Sequence, residues 1–282
     1  MNAMKALVMG VFFSLWQVQA ADSVVLDVKH MPNSVYRTET KTSLTNEFNL
    51  KASKETIEQF EASGVKLPLK VMQEQTITNT LKTSGVKGNG DMPFSGTIET
   101  AAKVESSAKP GAQSSQKHFE VSGAYKGGAL TIEHVKGEGV TPEIEGAVKQ
   151  ALTKVMESVT YPKDPIKVGN SFSQDVPVSI PMQGAAPVEM VMSTRYTLKS
   201  IKDKKAHFDI QQEYALAPGS KQSNVTLSGS GSGTMVYDAA VHQVTSTVTK
   251  STMNMSVKTG EILSIVKTVT DSSINTTVSK AK

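Results

Sequence analysis

Hydrophobic and polar residues alternate with a period of two over much of the chain. From Tyr36 the even positions run Tyr36, Thr38, Thr40, Thr42, Leu44, Asn46, Phe48 and Leu50, while the odd positions run Arg37, Glu39, Lys41, Ser43, Thr45, Glu47 and Asn49. Successive side chains of a strand point to opposite faces, so this stretch has one wet face and one drier face. The pattern returns where Phe94, Gly96, Ile98, Ala102 and Val104 oppose Ser95, Thr97, Glu99, Lys103 and Glu105. It returns again at Val188, Met190, Met192, Tyr196 and Leu198, and at Ala206, Phe208, Ile210, Tyr214 and Leu216. Alternation of this kind predicts antiparallel sheet with one solvated face, because parallel sheet covered on both sides reads as continuous apolar runs.

Two segments break the period. Lys54 to Ser63 carries Ile57 and Phe60 three apart, followed by Gly64, which predicts a short helix. In the second, Thr141 can cap, Pro142 suits the first helical position, and Glu143 and Glu145 suit the positive end of a helix dipole. Ile144, Ala147, Val148, Ala151, Leu152, Val155, Met156 and Val159 then follow helical spacing, and Tyr161-Pro162 ends the run. Glu105–Lys117 and Ala217–Asn224, rich in Ser, Gly, Pro and Lys, read as exposed connections. The order strand, strand, loop, strand, strand occurs on both sides of the long helical segment, which suggests a tandem duplication.

The fold expected is mainly β with minor α: antiparallel curved sheets, or a partial barrel, packed on one long amphipathic helix. The chain divides into residues 1–20, an N-terminal β-rich half over 21–161 that ends in the helix, and a C-terminal antiparallel half over 162–282. Sheets with one dry face need a cover, and the two helical segments are the only helical candidates for it.

Composition adds the compartment. Lys5 precedes an apolar run, Ala6–Trp16, and Val18-Gln19-Ala20 offers a cleavage site, so residues 1–20 read as a secretory signal. The run is too short to span a bilayer, which takes about 20 apolar residues. The expectation is an exported chain, periplasmic or secreted, with no transmembrane span after cleavage near Ala20. There is no cysteine, so neither a disulfide nor a lipid-modified cysteine can hold or anchor it. The formal charge of +4 is spread among alternating Lys, Glu, Asp and Thr without a basic run that would track phosphates, which argues against nucleic acid as a partner.

Candidate chemistry is sparse. Ser-x-x-Lys occurs at Ser63/Lys66, Ser84/Lys87, Ser106/Lys109, Ser114/Lys117 and Ser264/Lys267, a frequency that chance supplies in a Ser- and Lys-rich chain, and its companion catalytic signatures are absent. His30, His118, His134, His207 and His242 lack metal-ligand spacing. No catalytic residue, metal site or cofactor is assigned. Ser228-Gly229-Ser230-Gly231-Ser232-Gly233 is not a dinucleotide fingerprint, because its glycines alternate strictly. Val225, Leu227, Met235 and Tyr237 share their parity, so the three glycines fall on the dry face of one strand, where a helix or ligand can approach the backbone. Methionine, flexible and polarisable, suits adaptable apolar surfaces. Met190, Met192, Gly229, Gly231, Gly233 and Met235 are therefore the candidate contacts for an apolar ligand.

Three segments of the second half, Pro165-x-x-Val168-Gly169-Asn170-Ser171-Phe172, Tyr196-x-Leu198-x-x-Ile201, and Gly229-x-Gly231-x-Gly233 with Asp238, resemble a family of uncharacterised bacterial exported β-rich proteins. Relatives often carry Trp near Phe172 and Thr-Gly after the aspartate, where this chain has Ala239-Ala240. The resemblance implies a β-rich exported domain and transfers no activity or site residue. The leading expectation is a non-catalytic exported protein that holds a lipid, an acyl chain or another apolar molecule, an architecture that looks like bacterial lipoprotein carriers. The alternatives are a secreted hydrolase without a recognisable motif and an outer-membrane-associated β protein.

Overall fold

The computed structural model describes residues 22–62, 64, 66–127, 129–158, 160–182, 185–219 and 224–281. The signal expected over 1–20 and the helical residue Val159 lie outside them. In chain order the elements are β1 (Ser23–Val24), β2 (Ser34–Lys51), α1 (Lys54–Ala62), β3 (Leu69–Thr83), β4 (Met92–Ser106), β5 (Lys109–Lys126) and β6 (Ala129–Gly137). There follow α2 (Pro142–Ser158), β7 (Ile166–Lys167), β8 (Ser171–Met182), β9 (Ala185–Lys202), β10 (Lys205–Leu216), β11 (Val225–Asp238), β12 (Gln243–Thr259) and β13 (Ile262–Lys280).

Eleven of these strands form one antiparallel sheet in the order β6-β5-β4-β3-β2-β13-β12-β11-β10-β9-β8. From the β8 edge this is an up-and-down meander in cyclic sequence order, with the first and last long strands paired at its centre. Leu44 lies opposite Thr270, and the ladder runs from Leu263↔Lys51 to Lys280↔Ser34. The sheet is open, not closed into a barrel. Eleven antiparallel strands are an odd number, so β6 and β8 point the same way, and parallel strands need a long crossover between them. Residues 138–170, which contain α2 and β7, are that crossover. The segments expected as two tandem halves thus contribute a five-strand and a six-strand meander to a single sheet.

Residues 22–33 cross one end of this sheet as a strap. Ser23 and Val24 pair with Lys167 and Ile166. Leu26 enters a core with Ile166, Leu198, Ala206, Phe208, Ile210, Met235 and Tyr237. The Tyr237 hydroxyl donates to the Asp27 carbonyl at 3.2 Å, and Gln243 Nε2 donates to the Lys29 carbonyl at 2.8 Å. His30 then stacks on Tyr125 of β5, with centroids 4.9 Å apart, and meets Tyr36 of β2 edge-on at 4.6 Å. Buried Thr83 closes the strap: its hydroxyl donates to the Met31 carbonyl at 2.6 Å and accepts from the Ser34 N–H at 3.0 Å. The strap therefore touches strands of both meanders.

The expectation of a sheet packed on a long amphipathic helix is not supported. α2 rests on β6 at one margin of the sheet. Ile144 and Ala147, expected to face a core, are exposed, and Val148 packs against the small cluster of Phe94, Val121 and Val135; the side chains of residues 151–158, among them Ala151, Leu152, Val155 and Met156, lie outside the described ones. What α2 does instead is occupy the margin. The Val135 N–H donates to Glu145 Oε1 at 3.2 Å, and Lys149 Nζ donates to the Glu133 carbonyl. Glu145 and Lys149 pair at 2.9 Å, so an i,i+4 ion pair serves as hydrogen-bond partner to a bare strand. The far margin, β8, carries Pro177 within the strand, a residue found on edges because it has no N–H for a ladder. A second expectation also fails: only Ser107 and Ala108 of the connection expected over Glu105–Lys117 form a turn, and the residues after them belong to β5.

Burial lowers the His30 pKa from 6.5 to about 4. Between those values the unfolded chain takes up a proton that the folded chain refuses, so stability falls as the pH drops from 6.5 towards 4. The loss approaches about 3 kcal/mol at the acid limit. In urea titrations at pH 7 and pH 4.5, we expect His30→Phe, which keeps an aromatic ring under the strap, to lose less stability on acidification than the parent; equal losses would remove this role from His30.

Candidate functional site

The sheet register assigns every strand residue to a face. One face holds Tyr36, Phe94, Leu198, Phe208, Met235 and Met255, all buried, and is called inner here. Across β2, β3 and β4, and from β8 to β13 as far as Val278, inner positions carry no Asp, Glu, Lys, Arg or His. The opposite face carries the charges, several of them paired across strands: Lys70–Glu47 at 3.5 Å, Lys199–Asp209 at 3.4 Å and Lys250–Asp271 at 3.4 Å. These pairs are well exposed and each is worth little. Their significance is positional, because a charge moved to the inner face would lose solvation without a partner.

The inner face is apolar at its two ends and polar between them. One end is the strap-covered core; the other gathers Val188, Val225 and Met255 with Ile180, Leu216, Leu227, Val257 and Val266. α1 lies at this second end, where Phe60 faces Phe48 with centroids 6.4 Å apart. The middle belt is rich in hydroxyls and amides, with Leu44, Ile77 and Ile274 among them. Thr38 and Thr276 share a hydrogen bond of 3.0 Å, and the Thr268 hydroxyl donates to Asn46 Oδ1 at 2.7 Å. Asn79 Oδ1 is buried without a protein partner. Threonine is at home there because its β-branch fits a pleated surface while its hydroxyl finds a neighbour across the strands.

All six sequence-predicted ligand residues lie on this inner face. Met190 pairs with Leu216 and Val178, Met192 with Tyr214 and Val176, and Met235 with Phe208 and Thr247. Met190 and Met235 are buried towards opposite ends, with Gly229, Gly231 and Gly233 between them. The space above these glycines is filled from the neighbouring strands. The Tyr214 hydroxyl of β10 reaches over β11 and donates to Ser251 Oγ of β12 at 3.0 Å. A Cβ on Gly229 would sit 3.0 Å from Tyr214 Cδ2, and one on Gly231 would sit 2.7 Å from both Gln212 Oε1 and Ser251 Cβ. A Cβ on Gly233 would overlap the Val248 carbonyl oxygen. The glycine stripe thus lets β10 and β12 meet across a strand that has no side chains there. Sequence reasoning missed the inner-face residues of β3 and β13, such as Gln75, Ile77, Thr270 and Ser272; the absence of charge at every second position was the available signal.

The segments that resemble the exported family serve turns and packing. Gly169 takes a positive φ of 90° and its N–H donates to the Leu198 carbonyl at 2.8 Å. Phe172 stacks on Tyr196 at 4.8 Å and meets Phe208 edge-on at 6.1 Å. Asp238 Oδ1 accepts the Ala240 N–H at 2.9 Å, closing the turn after β11. Burial pushes the Tyr161 hydroxyl up to about 12 and raises Tyr196, both beside this core. The carboxylates with resolved shifts, the exposed Asp27, Glu55 and Glu143 and the half-buried Glu145, lie below their ordinary range because hydrogen bonds stabilise the charged form. Among the described residues no group of three or more His, Asp or Glu could hold a metal ion, and no helix is long and apolar enough to cross a membrane.

No family model matches the chain, and no curated protein matches it. Among solved structures, the transport unit of the autotransporter AIDA-I from Escherichia coli aligns over 88% of this chain and 92% of its own, at 8% identity and a TM-score of 0.19. The translocator domain of the autotransporter NalP from Neisseria meningitidis aligns over 87% and 90%, at 5% identity and a TM-score of 0.12. Scores this low carry no argument about fold or function.

The crossing of β11 by Tyr214 has a measurable cost when disturbed. Gly233→Val should lower unfolding stability by about 1–3 kcal/mol through overpacking, and Tyr214→Phe by about 1 kcal/mol through the lost hydrogen bond. Ser232→Val, one residue away on the outer face, should stay within about 0.5 kcal/mol. Urea unfolding of the three variants provides the comparison.

Proposed function

We propose that this chain is a non-catalytic binding protein for an uncharged, largely apolar molecule, of which an acyl chain is the prototype, and that it works after export to the periplasm or the medium. The observation that carries the reading is an inner face uncharged across β2–β4 and from β8 to β13 as far as Val278, set against an outer face that carries the charges. An acyl chain needs a surface on which no charge must be desolvated, with a few hydroxyl or amide groups to orient a polar end. The inner positions in the middle of β2–β4 are only half-buried, whereas the strap crosses one end of the face and Phe60 of α1 meets Phe48 near the other. The belt around Asn79, with its unpartnered carbonyl, suits the hydroxyl or amide end of such a ligand. Met192 and the edges of the glycine stripe suit the apolar part.

The outer-membrane alternative meets an obstacle in Arg37, Glu39, Lys41, Glu47, Lys70 and Glu74, which stand on the outer face of neighbouring strands. A strand facing lipid presents an apolar band there. For the hydrolase alternative, no carboxylate among the described residues has a pKa raised by burial, the usual mark of a general acid.

Ile77 and Thr78 are adjacent on β3 and point to opposite faces. Binding of N-phenyl-1-naphthylamine, read by fluorescence and by displacement with a fatty alcohol, should fall at least about tenfold in Ile77→Lys, since a tenfold change corresponds to 1.4 kcal/mol and an unpaired buried charge exceeds that. Thr78→Lys should bind as the parent does. A folded parent that binds neither dye nor alcohol, and yields no bound lipid in native mass spectrometry, would refute the reading.

A further inference from the structure

The sheet has a third bare edge besides β6 and β8. β6 pairs with β5 only from Phe119↔Gly137 to Lys126↔Ala129, whereas β4 pairs with β5 as far as Lys109. Beyond Phe119, β5 has β4 on one side and, among the described residues, no strand on the other. Residues Gly111–His118 are exposed throughout. The slot that β6 leaves vacant is bounded by its closing turn, Gly137–Val140, and by Ile144, which is 42% exposed. A groove of about 1010 Å³ opens there, lined in part by Gln116, Lys117, His118 and Phe119.

The other two edges are blocked, β6 by Glu145 and Lys149 and β8 by Pro177. The stretch Gln113–Gln116 has neither device: it holds no proline and no charge, and it pairs regularly with β4, whose register shifts only past Gln113, between Val104 and Ser106. Edges without protection pair with other strands. We infer that this edge pairs with the same edge of a second copy, antiparallel and two-fold symmetric about Ser114, so that two sheets join through their β5 strands. The stretch is complementary to itself. A two-fold axis normal to the sheet keeps inner and outer faces in register, so that Gln113 meets Ser115, Ala112 meets Gln116 and Lys117 meets Gly111. The single charge of Gly111–Lys117 therefore faces no like charge. Polar cross-strand pairs of this kind stabilise antiparallel ladders. The partner's hairpin turn, Ser107–Ala108, would abut the turn that ends β6.

The register puts Ser114 opposite itself, which gives a charge-swap test on the full chain by light scattering after size exclusion. The parent and Ser114→Asn should be dimeric. Ser114→Asp and Ser114→Lys should each dimerise at least about tenfold more weakly, because like charges meet. Mixing those two in equal amounts should restore the dimer. Circular dichroism checks that each variant is folded. A folded parent that stays monomeric at the highest attainable concentration overturns the inference. So does a dimer indifferent to both charges, or one that mixing fails to restore.

Discussion

The ladder between β2 and β13 is the constraint on which the rest of the structure depends. It joins residues near opposite ends of the chain, from Lys51↔Leu263 to Ser34↔Lys280, and it alone stitches the two meanders into one sheet. Every other neighbouring pair in the large sheet is joined through nearby sequence, by a hairpin or, between β2 and β3, by α1. Because the number of strands is odd, the remaining margins run parallel and cannot be joined by a tight turn. The crossover through α2 and β7 follows from that count, as does the use of Glu145 and Lys149 to satisfy the margin of β6. The strap continues the same logic, since residues 22–33 lead from β1, which pairs with β7, to the start of β2 and do so across strands of both meanders.

Within that frame the side chains divide by charge more sharply than by hydrophobicity. An antiparallel sheet with one dry face ordinarily alternates apolar and polar residues. Here the inner face keeps threonine, serine, asparagine and glutamine in its middle belt, and what it excludes across β2–β4 and from β8 to β13 as far as Val278 is charge. That distinction shapes the functional reading. A face of leucine and valine throughout would favour solid closure, whereas uncharged hydroxyls and amides leave hydrogen-bonding capacity that Asn79 does not spend within the protein. The glycine stripe of β11 serves the scaffold on the same face: it lets Tyr214 span from β10 to Ser251 of β12.

Strands were legible wherever one face is apolar enough to mark the period. Tyr36–Leu50, Phe94–Val104, Val188–Leu198 and Ala206–Leu216 fall within β2, β4, β9 and β10, and Ile57 and Phe60 mark α1. The free part of β5 was illegible for a physical reason. Residues such as Gln113, Ser114, Ser115 and Gln116 are exposed on both faces, so no hydrophobic period exists, and Ser, Gly and Pro suggest a loop. The packing of α2 was misread because helical spacing reveals an apolar stripe without saying what will cover it; the chain places that helix at a margin. The alignment of Met190, Met192, Met235 and the glycines on one face was readable from parity, since a strand's period is two. Their separation, with buried methionines at opposite ends and Tyr214 over the glycines between them, depends on which strands become neighbours. Parity cannot supply that.

The β2–β13 register can be tested directly because the chain contains no cysteine. Thr38 and Thr276 lie opposite each other with their hydroxyls 3.0 Å apart. Directly opposed residues of an antiparallel pair have Cα atoms about 4.5–5.5 Å apart, within the range a disulfide spans. Under mild oxidation the Thr38→Cys/Thr276→Cys protein should lose both thiols as a monomer, while Thr38→Cys/Ile274→Cys, displaced along the same face, should keep them. Equal closure of the displaced pair, or free thiols in both folded proteins, would contradict the seam and the single sheet built on it.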